Sequence, residues 1–172
     1  RVDVYVDSDW AGCLRTRKST TGFLVTINGV NVHYGSRTQA TPALSSAEAE
    51  LYASGTGCCE GLAIVNFVRD LALTKKIVCT LHTDSSAGKS MAVRYGQSRK
   101  SRHIELKYLF IQNLVKEKIS TIKKITGVNN PADVFTKFVK RDILEKFLPQ
   151  IGIVSVFDFT RTAKPYISVI TG

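Results

Sequence analysis

The chain opens on strict alternation. In Val2-Asp3-Val4-Tyr5-Val6-Asp7 every second residue is Val, the period-two pattern of a strand with one apolar face. The stretch from Asp9 to Thr21 is polar and basic and contains Gly12, which predicts a loop. Phe23 to Ile27 and Val30 to Tyr34 are rich in strand formers and are separated by Asn28-Gly29. That pair suits a two-residue hairpin turn, because both turn positions need positive φ. Three antiparallel strands are therefore expected at the start.

A loop with Pro42 follows, and then Ser45-Ser46-Ala47-Glu48, a capping-box pattern. Ala47, Leu51, Ser54, Cys58, Leu62 and Val65 recur at helical spacing and predict a helix to about Leu73, with breaks expected near Gly55, Gly57 and Gly61. Ile77 to Thr83 predicts a strand, and Asp84-Ser85-Ser86 caps a short helix to about Tyr95. The basic loop Gly96 to Arg102 leads to a helix in which Ile104, Tyr108, Ile111 and Val115 share a face. Ile119 to Ile125 predicts a strand. Asn129-Asn130-Pro131 begins a helix with Pro in its first position, and a last helix, Asp142 to Phe147, is expected to end at Pro149. The order β-β-β-α-β-α-α-β-α implies a mixed sheet with parallel crossovers on one side. Residues 1–148 form one domain in this reading, and 149–172 a tail or extra element that the pattern does not assign.

Composition narrows the classes. The chain has 172 residues, 44% hydrophobic and 22% charged, which suits one globular domain with a core of its own. No apolar run approaches the roughly 18 residues of a membrane helix. The first residues lack the apolar stretch of a signal peptide. The chain opens on Arg1 rather than Met and is expected to be a piece of something longer. Cys13, Cys58, Cys59 and Cys79 show no metal-binding spacing and are expected to be reduced packing residues of an intracellular protein. The net charge is +10. Between Lys89 and Lys124 stand ten basic and two acidic residues, so +8 of that +10 lies in one fifth of the chain. Such asymmetry favours a polyanionic partner.

Three acids stand where strands meet loops or helices, Asp7, Asp84 and Asp133, and a fourth, Glu50, stands in the first turns of the long helix. In an α/β sheet, neighbouring strand ends share one crevice, so residues distant in sequence can meet there. Each has a plainer role to weigh: Asp84 as a helix cap, Asp133 as an acid in a first helical turn. Glu48 and Glu50 lie about 200° apart on a helix, so only one can face a given crevice. Glu48 is the capping-box partner of Ser45, which leaves Glu50. On the first strand Asp3 and Asp9 compete with Asp7, and Asp7 stands at the strand's end. Converging carboxylates repel by about 4 kcal/mol per pair at roughly 4 Å and an effective dielectric of ~20. Two divalent cations would offset this. An all-carboxylate ligand set without Cys or His favours two Mg²⁺ ions, with Mn²⁺ able to substitute. Such an ion pair can activate water and stabilise a leaving oxygen in phosphodiester hydrolysis.

Five segments carry a resemblance. They are Tyr5-Val-Asp-Ser-Asp-Trp-Ala-Gly12, Leu44-Ser-Ser-Ala-Glu-Ala-Glu-Leu-Tyr-Ala53, Leu81-His-Thr-Asp-Ser-Ser86, Ser101-Arg-His-Ile-Glu-Leu-Lys-Tyr108 and Pro131-Ala-Asp-Val-Phe-Thr-Lys137. In this order they resemble the ribonuclease H domain of copia-type LTR retrotransposon Pol polyproteins, over roughly residues 3 to 140. The resemblance implies an α/β RNase H-like fold, a five-stranded mixed sheet in the order 3-2-1-4-5 flanked by helices. It implies a metal-dependent endonuclease that cuts the RNA strand of RNA–DNA hybrids during reverse transcription, leaving a 5′ phosphate and a 3′ hydroxyl. By motif, the family's four acids fall on Asp7, Glu50, Asp84 and Asp133. The implied partners are the hybrid and an upstream reverse transcriptase domain of the same polyprotein, with no membrane. The implied setting is intracellular: cytoplasm, virus-like particle or nucleus.

The chain departs from the pattern at one place. Many RNase H enzymes carry a His in the loop before the last Asp, whereas here the loop is Thr126-Gly-Val-Asn-Asn-Pro131. Asn129 and Asn130 are the residues available to fill it, and His82 is expected to be a packing or surface residue. A hybrid is read by shape and phosphates rather than base edges. Ser8, Thr38 and Gln39 are the candidate RNA-side contacts, with Lys18, Ser19 and Thr20 behind them. Arg94, Arg99, Lys100 and Arg102 are candidates for the DNA-side backbone. Trp10 is expected to pack in the core. Two rivals remain: a catalytically weak tethering module of the same fold, and a transposase or integrase core acting on DNA.

Overall fold

A computed structural model of the chain describes residues 1–74, 77–85 and 102–153, with side chains from 106 onward in the last stretch. Five strands form one sheet: β1 (Val2–Asp9), β2 (Thr20–Ile27), β3 (Val30–Thr38), β4 (Cys79–Thr83) and β5 (Ser120–Lys124). Their order is β3-β2-β1-β4-β5. The pairs β1–β2 and β2–β3 are antiparallel, and β1–β4 and β4–β5 are parallel. Three helices accompany them, α1 (Ser46–Asp70), α2 (Arg102–Lys116) and α3 (Arg141–Ile151). The five-stranded mixed sheet and its order are as expected. Of the helix expected from Asp84 to Tyr95, residues 86–95 lie outside the described residues, as do 96–101 of the basic loop after it.

Local chemistry explains the turns. Asn28 and Gly29 both have positive φ, 50° and 86°, and join β2 to β3 as a tight hairpin. Ser45 caps α1 by accepting the Glu48 N–H at 3.2 Å. The Glu48 side chain accepts from the Leu44 N–H and from the Tyr52 hydroxyl, so it closes the helix start from inside.

Helix α1 is unbroken, against the expectation of breaks at its glycines. Gly57 and Gly61 face the sheet. A Cβ at Gly57 would sit 2.3 Å from Val6 Cγ1, and one at Gly61 would sit 2.6 Å from Val4 Cγ2. Each glycine costs a helix about 1 kcal/mol relative to Ala. Here the missing side chains let α1 press onto Val4 and Val6, and close packing offsets that cost. Val2, Val4, Val6, Phe23, Val25 and Leu81 meet Ala49, Ala53, Cys58 and Val65 in one buried core.

Alternation turns Asp3, Tyr5 and Asp7 to the opposite face of β1. There a short 3-10 turn, Pro131–Phe135, packs on β1 and β2, and α3 packs on β3. The helix expected at Pro131 is thus a 3-10 turn, though Pro131 does hold its first position, with Asn130 as cap. Helix α3 passes Pro149 and ends at Gly152, which has φ 84°. Pro149 lies inside the last turn of the helix, and Gly152 supplies the left-handed stop. Phe147 and Ile151 of α3 are buried. Trp10 is not in the core: it is 55% exposed, and its indole N–H donates to the Ala43 carbonyl. No helix among the described residues is long and apolar enough to cross a membrane.

Candidate metal centre

The far end of β1 gathers acids from three elements. Asp7 comes from β1, Glu50 from the second turn of α1, and Asp84 from the residue after β4. One carboxylate oxygen of each lies within 4.8 Å of the others, a group able to hold a metal ion. Parallel pairing of β1 with β4 puts both strand ends on the same edge, which is why residues so distant in sequence meet.

Asp133 reaches the same region from the face opposite α1. Asn130 positions it. The Asn130 side chain is fully buried, donates to the Val6 carbonyl at 2.8 Å and accepts the Ala132 N–H at 3.2 Å. Gly22 makes room for the turn. It pairs with Asp7 across the sheet, and a Cβ there would lie under 3.0 Å from Thr136, Ala132 and Phe135 atoms. The Thr136 hydroxyl donates to Asp7 Oδ2. Lys137 Nζ lies 2.9 Å from Asp133 Oδ2 and 3.8 Å from Asp7 Oδ2. Asp133 therefore stands beside the three-acid group, bridged to it by Lys137.

Electrostatics record the crowding. Burial pushes the Glu50 carboxyl up to about 7, and the Asp7 and Asp84 charges push the same way. The hydrogen bonds from the Ser8 hydroxyl, at 2.7 Å, and the Ser8 N–H, at 3.2 Å, oppose it. Asp84 is raised by burial and by Asp7. Asp133 is raised by burial and by its acidic neighbours, against the pull of Lys137. Burial lowers Lys137, but Asp133, Asp7 and Asp84 together raise it above the ordinary value. Two buried carboxylate oxygens, Glu50 Oε2 and Asp133 Oδ1, have no hydrogen-bond partner among the described residues. Anionic oxygens with open lone pairs fit a hard divalent cation.

The competing acids have other work. Asp3 sits at the near end of β1, paired with His82 Nε2 at 2.9 Å and Arg1 Nε at 2.6 Å. Asp9 accepts the Thr20 N–H and closes the loop. His82 stacks on Tyr5 with ring centroids 4.6 Å apart, a packing role as expected. Asn129 bonds the Thr126 hydroxyl and Lys146, so both asparagines of that loop are engaged in structure.

Among the substrate candidates, Ser8 holds Glu50 and Thr38 is exposed at the end of β3. Gln39 is buried, and its amide nitrogen donates to Thr21 Oγ1 and to the Ala49 carbonyl, tying the sheet to α1. Arg94, Arg99 and Lys100 lie outside the described residues, as does the side chain of Arg102. Sequence reasoning passed over Thr136 and Lys137. The signal was there: Lys137 stands four residues after Asp133.

The sheet order and helices define the class. RNase H1 from the archaeon Halobacterium salinarum superposes with a TM-score of 0.54 at 16% identity, over 85% of this chain and 98% of that one. The LC11 RNase H1, solved in complex with an RNA/DNA hybrid, gives 0.50 at 15% identity, over 86% of this chain and 99% of that one. At such identities the likeness establishes the fold, which is RNase H-like. In sequence, the chain is 31% identical over 151 residues to the retrovirus-related Pol polyprotein from transposon TNT 1-94 of Nicotiana tabacum. That match covers 88% of this chain and 11% of the polyprotein. The chain is a homologue of the copia-type Pol polyproteins and spans about a tenth of the length of these curated relatives. No family model matches it.

Proposed function

We propose that the chain is a metal-dependent endoribonuclease that hydrolyses the RNA strand of RNA–DNA hybrids for reverse transcription of a retrotransposon. The observation that carries this is the meeting of Asp7, Glu50 and Asp84 within 4.8 Å on an RNase H-like sheet. Asp7, Glu50, Asp84 and Asp133 are the catalytic set and would hold two Mg²⁺ ions, or Mn²⁺ in their place. When bound, the ions supply an activated water and charge for the leaving oxygen. Asp7 is fixed for this by Thr136, and Glu50 by Ser8, so neither must be ordered on binding. Water adds to phosphorus, the bond to the 3′ oxygen breaks, and the products are a 5′ phosphate and a 3′ hydroxyl.

Support for the substrate comes from the LC11 enzyme, which was crystallised with an RNA/DNA hybrid. The charge of +10 suits such a polyanion. Thr38 at the rim, together with Ser8, faces the RNA side in this reading, Gln39 being buried between the sheet and α1, and Arg94, Arg99, Lys100 and Arg102 are assigned to the DNA backbone. Homology to Pol polyproteins supports an upstream reverse transcriptase partner and an intracellular setting.

The test is incubation with an end-labelled RNA–DNA hybrid in Mg²⁺, Mn²⁺ or EDTA. Cleavage with either metal and none in EDTA is expected. Asp7→Asn and Asp84→Asn should bind the hybrid without cutting it. Binding without cutting by the wild type under every condition overturns the nuclease in favour of a tethering module. Cutting of duplex DNA with the hybrid spared points instead to a transposase-like core.

A further inference from the structure

We propose that Lys137 is an internal counter-cation of the acidic centre, which a divalent ion must displace from Asp133 and Asp7 in order to bind there; this rests on reading the acids as a metal centre. Three observations carry it. First, the ammonium lies 2.9 Å from Asp133 Oδ2 and 3.8 Å from Asp7 Oδ2, two acids supplied by different elements. It stands where a cation shared by them would sit. Second, the neighbouring lone pairs are open. Asp133 Oδ1 and Glu50 Oε2 are buried without partners, so a single positive charge satisfies part of the anionic set and leaves the rest exposed to a second cation. Third, the Lys137 side chain is half exposed, at 51%, whereas Asp7 is at 5% and Asp133 at 17%. The ammonium can swing into water while the acids stay in place.

The local backbone suits this role. The Lys137 N–H donates to the Asp133 carbonyl at 3.3 Å, and Thr136 anchors the same segment on Asp7. The stem of Lys137 is thereby held at the crevice, and only its flexible end needs to move. An ammonium and a divalent cation on the same carboxylate oxygens repel each other strongly. Without a divalent ion, Lys137 holds the Pro131–Phe135 turn against β1 and limits acid–acid repulsion. With one, it is released toward solvent and toward the phosphates of any bound nucleic acid.

The experiment titrates Mg²⁺ into the 172-residue chain by calorimetry with no nucleic acid present, and follows melting with and without Mg²⁺. Lys137→Met and Lys137→Gln should bind Mg²⁺ about tenfold more tightly, the Coulomb repulsion being discounted for the side chain's exposure. Both should melt lower than wild type without Mg²⁺ and gain more from its addition. Lys137→Arg should keep the wild-type affinity. A merely structural lysine would give weaker Mg²⁺ binding when removed. Unchanged or weaker affinity in both neutral variants overturns the proposal, and so does absence of Mg²⁺ binding in all of the proteins. Cleavage is not read in this titration. Tighter Mg²⁺ binding by the variants, beside a wild type that leaves the hybrid intact, would keep this inference and remove the nuclease.

Discussion

Strand β1 carries two buried aspartates on one face, Asp3 and Asp7, at 2% and 3% exposure, and their surroundings are opposite in kind. Burial acts upward on Asp3, but His82 and Arg1 hold its carboxyl below the usual range. That end of the strand is neutralised and closed. At the other end, Asp7 shares its crevice with Glu50 and Asp84, and both of those neighbours are raised. Lys137 stands among the acids there and Lys124 acts on Asp84, yet Asp84 stays raised. Burial alone thus does not mark a site. What marks it is buried anionic charge that the fold leaves undercompensated.

The largest test of this contrast exchanges the two aspartates. Asp7→Asn or Asp84→Asn should lower hybrid cleavage at least about a hundredfold, a loss typical of removing one preorganised electrostatic group. Asp3→Asn should leave the rate of the folded protein within about twofold, because it touches no reacting group. Gel-based single-turnover rates decide this, and equal losses at both positions would erase the distinction.

Next comes pH, measured by urea denaturation in EDTA. Glu50 is raised from 4.5 to about 7, so the folded state binds the extra proton. Its contribution is fully present below pH 4.5 and is lost as pH rises through about 7, by up to about 3 kcal/mol. Asp3 has the opposite sign: its lowered value adds stability above pH 3.8 that is lost as pH falls below it. Glu50→Gln should flatten the neutral limb and leave the acid limb unchanged.

A smaller effect is expected at Gly22. Gly22→Val forces the Pro131–Phe135 turn away from Asp7 and should cost about 2 kcal/mol by overpacking, with loss of cleavage in the folded fraction. The smallest is the stability change of Asp3→Asn, about 1 to 2 kcal/mol from weakened charged hydrogen bonds to His82 and Arg1. Denaturation midpoints check both.

Much of this architecture was legible in the sequence where one local signal dominated. Asn28-Gly29 specified the hairpin, Ser45 specified a cap, and the angle between Glu48 and Glu50 separated the capping acid from the one in the crevice. Legibility ended where two elements had to be seen together. Gly57 and Gly61 read as helix breakers until β1 was laid against them. Gln39 read as a surface contact because its partners, Thr21 and Ala49, come from other segments. Trp10 reads as core, yet it is half exposed and its indole N–H donates to the Ala43 carbonyl. Lys137 was overlooked because its meaning depends on Asp7, which no helical spacing connects to it.

The tie between Asn130 and the Val6 carbonyl spans 124 positions, and the one between Thr136 and Asp7 spans 129. A chain emerging from a ribosome completes β1, β2 and β3 long before either tie can form. Closure of such distant loops is a slow step in folding. Asp133 and Lys137 therefore join the crevice last, and a truncated polypeptide that stops short of them carries an incomplete acidic crevice.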